Sequence, residues 1–98
     1  MVLPFFVPYE YKKMPMVYCT YILYSETLDK YYIGYTNDIR RRIEEHNRPK
    51  GKFTDKGIPW KIVHTENFES AQLAYQRELE IKGKKSRKYI EWISAKNK

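Results

Sequence analysis

Cysteine is almost missing from this chain, and Cys19 is the only one. A lone thiol makes no intramolecular disulfide and supplies too few sulfurs for a thiolate zinc or iron–sulfur site, which suits a reducing, cytoplasmic setting. With Val17, Tyr18 and Tyr21 around it, Cys19 reads as an inert packing thiol rather than a nucleophile. Long hydrophobic runs are missing as well. The apolar stretch at residues 3–8 is short, holds two prolines and follows no positive charge, so it is neither a signal peptide nor a membrane span. Acidic residues are the minority charge, 12 against 19 Lys and Arg, and the resulting +7 favours a polyanionic partner, nucleic acid or an anionic membrane surface. No internal repeat or low-complexity tract is present. Ninety-eight residues suffice for one domain, so any chemistry is assembled around a single small core. What the chain has in surplus is tyrosine, ten in all.

Residues 1–15, rich in proline and without a regular pattern, read as a dispensable N-terminal extension, with one folded domain over residues 16–98. Residues 17–24 are all apolar, aromatic, Thr or Cys and predict a strand buried on both faces. A polar six-residue connection leads to a second aromatic strand at residues 31–36, so the two form an antiparallel hairpin at the centre of the domain. Asn37 or Asp38 caps a helix of about ten residues that ends near His46. Residues 47–59 hold two glycines, two prolines and a surplus of Lys and Arg, which predicts a basic loop with little regular structure. Residues 60–68 predict a third strand. Ser70 opens a helix to about Lys82, Gly83 stops it, and Ser86 opens a last helix through Ile93. The expectation is an α+β fold in the order β-β-α-β-α-α, a small three-stranded antiparallel sheet flanked by helices.

Helical geometry selects two residues. On the first helix Ile39, Arg42, Ile43 and His46 share one stripe, while Arg40 and Arg41 point away toward phosphate or water. Arg42 is then either a functional cation or a side chain whose stem packs on the sheet while its head reaches water. On the second helix, with Ala71 at 0°, Ala74, Tyr75, Leu79 and Ile81 define an apolar arc, and Glu78 falls inside it at about 340°. A carboxylate there needs a cation, a metal or donors. Lys82, four residues on, offers a structural ion pair as the alternative. A functional carboxylate would suit Mg²⁺, which takes few protein ligands and contacts phosphate oxygens. If Leu23 pairs with Tyr32 and Tyr21 with Gly34 across the hairpin, then Tyr21, Tyr32 and Gly34 share one face, and Gly34 leaves room for close approach of a ligand or backbone.

These residues resemble the GIY-YIG nuclease domain, found in intron homing endonucleases, in the incision subunit of bacterial excision repair and in small stand-alone bacterial proteins. The second signature triplet is complete as Tyr32-Ile33-Gly34. The first stands as Cys19-Thr20-Tyr21 and keeps only its tyrosine, a relaxation often met in small stand-alone members. Eleven residues separate Tyr21 from Tyr32, ten separate Tyr32 from Arg42, four more reach His46, and a glutamate lies on a later helix. The stretches Gly51-Lys52-Phe53-Thr54 and Arg77-Glu78-Leu79-Glu80-Ile81-Lys82 look most like the stand-alone branch. The resemblance implies a phosphodiester-cleaving endonuclease, with DNA expected as the nucleic acid ahead of RNA, and Mg²⁺ or Mn²⁺ held by Glu78. Tyr32 would activate or position water, Arg42 would stabilise phosphoryl charge, Tyr21 would bind phosphate or support Tyr32, and His46 would assist proton transfer. Tyr35 stands where some branches carry lysine. Phosphate contacts are expected from Arg40, Arg41, Lys50, Lys52, Lys84, Lys85 and Arg87, and no membrane partner is expected. The rival is a non-catalytic nucleic-acid-binding module on the same fold.

Overall fold

A computed structural model describes residues 17–96. The predicted extension at residues 1–15 therefore lies outside the described residues. Two strands come first, β1 (Tyr18–Ser25) and β2 (Lys30–Thr36), then helix α1 (Ile39–His46), a 3-10 turn (Phe53–Gly57), strand β3 (Trp60–Phe68) and helices α2 (Ala71–Gly83) and α3 (Arg87–Ala95). This is the predicted α+β order. The sheet is antiparallel throughout with strand order β2-β1-β3. The hairpin is thus not itself the centre: β1 alone is central, because β3 pairs with its free edge and leaves β2 outermost. The β1–β2 register sets Tyr21 opposite Gly34 and Leu23 opposite Tyr32, as the hairpin pattern suggested.

Alternation along β1 builds two cores. Cys19, Tyr21 and Leu23 face one way and pack with Trp60, Leu28, Ile39, Ile43 and Ile58, so α1 and the loop after it cover this side. Ile22 faces the other way onto Ile81 and Ile93, with Ile33, Val63, Tyr89 and Ile90 around them, so α2 and α3 cover that side. Burying each of these isoleucines contributes about 1.5–3 kcal/mol as an upper figure. Thr20, buried among them, donates its hydroxyl to the Ala74 carbonyl at 2.7 Å, tying β1 to the first turn of α2.

The helices start where the small polar residues predict. Asp38, Ser70 and Ser86 accept from the backbone N–H of Arg41, Leu73 and Tyr89. α1 has eight residues rather than ten. The basic loop is more ordered than its composition implied, because Asp55 accepts from the backbone N–H groups of Lys50, Gly51 and Lys52 and winds the 3-10 turn. On α2 the buried stripe is Ala74, Glu78 and Ile81, while Tyr75 and Leu79 are exposed, so the apolar arc is narrower than the helical wheel suggested. No described helix is long and apolar enough to cross a membrane.

Candidate nuclease site

Tyr21 is the hub of the site. Its side chain is wholly buried, and its ring lies over Gly34 of the outermost strand. A Cβ at Gly34 would come within 2.6 Å of the Tyr21 hydroxyl oxygen, so only glycine gives the phenol its place. Tyr32, two positions back on the same face of β2, stacks on Tyr21 with ring centroids 6.5 Å apart and stands half-exposed at the rim. His46, at the end of α1, meets both rings edge-on, 6.3 Å from Tyr21 and 4.4 Å from Tyr32. Trp60 closes this aromatic box at 6.3 Å from Tyr32 and from His46. Trp60 was not singled out in the sequence, where an aromatic opening a strand has an ordinary core role.

The helical stripe of α1 delivers Arg42 one turn before His46. Its Nε is buried and lies 3.3 Å from Glu45 Oε1, yet neither that Nε nor the Tyr21 hydroxyl completes a well-aligned hydrogen bond. Arg42 nevertheless lies close enough to act on the Tyr21 phenol, so the two buried groups serve as each other's polar neighbour while the rest of Arg42 reaches the hollow. Burial pushes the Tyr21 pKa up to about 12; the Arg42 guanidinium opposes this, and the charges of Tyr32 and Glu78 add to it. Tyr21 is therefore a neutral hydrogen-bond donor at neutral pH, not a base. His46 is held below the usual histidine value by burial and by the neighbouring cations of Lys50 and Arg42, with Glu45 opposing. Its imidazole is neutral near pH 7 and able to accept a proton.

Glu78 lies on α2, the helix on the far side of the sheet, and does not line the hollow that Tyr32, Arg42 and His46 share. It is buried, and Lys82 donates to its Oε2 at 2.5 Å while the lysine itself stays half-exposed. The ion pair weighed in the sequence is thus formed. Among the described residues no group of three or more His, Cys, Asp or Glu could hold a metal ion, so Glu78 would be a lone protein carboxylate for one. One carboxylate completed by water and substrate phosphate is an ordinary arrangement for Mg²⁺, and the donor set fits.

Tyr32, Arg42 and His46 line one open hollow of about 240 Å³ together with Glu45, Lys50, Lys52 and Thr54. The structure brings Lys50 and Lys52 to the site and leaves other expected phosphate contacts outside it. Arg40 borders a separate hollow beside Cys19, Thr65 and Asn67. Arg41 is paired with Glu45 and Asp38. Lys84 lies over the Tyr89 ring, and Arg87 is engaged with Asp29 and Glu91 while stacking on Tyr31. Those two and Lys85 sit where α2 meets α3, away from the hollow.

A family model described as the GIY-YIG catalytic domain matches residues 17–90, nearly all of the described chain. This chain belongs to the GIY-YIG catalytic domain family. Among relatives of this GIY-YIG domain, a UPF0213 protein of Natronomonas pharaonis is 48% identical over 59 residues, covering 59% of this chain and 66% of its own length. A UPF0213 protein of Streptococcus pneumoniae serotype 4 is 42% identical over 65 residues, covering 65% of this chain and 66% of its own length. The matches thus span just under two thirds of these relatives. The solution NMR structure of a UPF0213 protein from Bacillus halodurans is 31% identical, with a TM-score of 0.51, and covers 82% of this chain and 84% of that chain. The α+β fold is shared with that structure.

Proposed function

We propose that this domain is an endonuclease that hydrolyses phosphodiester bonds of nucleic acid, DNA more readily than RNA, with Mg²⁺ or Mn²⁺ held by Glu78. The observation that carries it is the meeting of Tyr32, Arg42 and His46 along one open hollow, with the buried Tyr21 ring stacked on Tyr32 behind it. A phosphate in the hollow would receive the Arg42 guanidinium, whose Nε lacks a well-aligned partner, and this stabilises charge as it grows on the phosphoryl oxygens, while the buried Tyr21 ring supports Tyr32 from behind. Tyr32, at the open rim, positions the attacking water, and neutral His46 beside it takes up the proton. Lys50 and Lys52 anchor the flanking backbone. A divalent ion at Glu78, when bound, supplies Lewis-acid stabilisation of the scissile phosphate.

The Glu78–Lys82 pair favours a second reading, a non-catalytic nucleic-acid-binding module in which Glu78 is structural. The two separate on Glu78→Ala compared with Glu80→Ala, assayed on labelled single-stranded, duplex, flap and junction substrates with and without Mg²⁺. The nuclease reading expects cleavage by wild type and Glu80→Ala only with the metal, and loss of cleavage in Glu78→Ala with binding kept. Lys82 can turn into water when its partner is removed, so the stability cost of Glu78→Ala is about 0–1 kcal/mol, that of an exposed pair rather than a buried one. Equal activity of Glu78→Ala and wild type, or no cleavage of any substrate, would overturn the reading.

A further inference from the structure

The geometry points to Phe53 as a base-stacking platform, so that the preferred substrate carries an unpaired nucleotide beside the bond to be cut. The inference rests on the nuclease reading of the hollow and adds its substrate class. Phe53 opens the 3-10 turn between Lys52 and Thr54, both of which line that hollow. It is 60% exposed, the largest exposure among the large hydrophobics of the described residues, although burying it would have stabilised the fold. Its position is not slack. Asp55 gathers the backbone N–H groups of Lys50, Gly51 and Lys52, and Trp60 Nε1 donates to the Thr54 carbonyl at 2.9 Å. Gly57 lets the turn close on Trp60, since a Cβ there would meet the indole at 2.4 Å. The chain thus holds an aromatic ring rigidly out in water.

The charge around the ring identifies the occupant. The ammonium groups of Lys30 and Lys56 lie over the ring, 5.5 and 5.6 Å from its centroid, and the neighbouring Lys52 lines the hollow with Lys50. An exposed aromatic ring carrying flexible cations complements a nucleobase with its phosphates, because the base can stack in place of the lysine heads while these swing onto the backbone they neutralise. Within a duplex both faces of each base are covered by its neighbours. Only an unpaired, terminal or extruded base offers a free face to Phe53. Single strands, flaps and junctions supply one; an uninterrupted duplex does not.

The test uses the full chain and fluorescent oligonucleotides without metal, so that binding is read apart from cleavage. Phe53→Ala should weaken binding of a single-stranded oligonucleotide by roughly 5- to 150-fold, the range of one lost stacking contact, and change affinity for a duplex of the same sequence less than about 2-fold. Phe53→Trp should keep or tighten single-strand binding, and wild type should quench 2-aminopurine in the strand where Phe53→Ala does not. Equal weakening for single strand and duplex, or no change in either, overturns the platform while leaving the nuclease reading in place. Failure of wild type to bind any oligonucleotide overturns both.

Discussion

Gly34→Ala is the sharpest probe of the site, since it adds one methyl group and touches no charge. The new Cβ would stand 2.6 Å from the Tyr21 hydroxyl oxygen and 2.8 Å from Cζ, where ordinary contact begins at 3.4 Å. The phenol must retreat by about 0.6–0.8 Å, and Tyr21, with no exposed surface, has no open space to retreat into. Overpacking of this kind costs about 1–3 kcal/mol, while replacing a strand glycine returns about 0.5–1 kcal/mol through the unfolded chain. The net loss of about 1–2 kcal/mol should lower Tm by roughly 5–15 °C in a domain of this size. Displacement of the phenol by most of an ångström should cut single-turnover cleavage by on the order of 100-fold. Adding Tyr21→Phe should recover part of the stability, because Cζ still crowds the methyl, and none of the cleavage. Gly34→Ala melting at the wild-type temperature would refute the packing argument whether or not cleavage is measured.

The histidine gives a pH signature. Because burial and the Lys50 and Arg42 charges depress its folded-state pKa, the unfolded chain binds the proton first, so His46 contributes stability above about pH 6.5 that is lost as pH falls through the folded value. Tm should drop between pH 7 and pH 5 more steeply in wild type than in His46→Gln, and matching slopes would rule the assignment out. Asp55→Ala should free the amides of Lys50, Gly51 and Lys52, raising their hydrogen-exchange rates toward those of an open loop and weakening single-strand binding; unchanged protection would show that another contact orders the turn.

Much of the site could be read before any coordinates. Glu78 stood out because a carboxylate interrupted a helical apolar arc, and Arg42 and His46 because they bordered one; both arguments need only the 3.6-residue period. The hairpin register followed from matching Tyr21 to Gly34, and the caps from Asp38, Ser70 and Ser86 before apolar runs. Periodicity does not report how elements meet across a sheet. Glu78 sits on α2, packed on the side of the sheet opposite α1, and no helical wheel carries that placement. The exposure of Tyr75 and Leu79 likewise depends on where α2 sits, not on its own pattern. The order of the basic loop was hidden because one Asp55 carboxylate supplies it, a side-chain interaction that composition leaves out.

Asn47 holds the first residue of β3 in both directions: its side-chain oxygen accepts the Trp60 N–H at 2.6 Å, and its amide donates to the Trp60 carbonyl at 3.0 Å. The end of α1 and the start of β3 are thereby buckled together independently of what runs between them. Gly51, with φ of 74° and nothing within 4 Å of a Cβ built on it, faces open space on the enclosed segment, held there only through its N–H on Asp55. Each doubling of such a segment costs only about 0.6 kcal/mol of closure entropy. New sequence spliced in at Gly51 would open the Asp55 turn yet leave the Asn47–Trp60 buckle in place, which makes this segment the natural graft point for a recognition element beside Tyr32, Arg42 and His46.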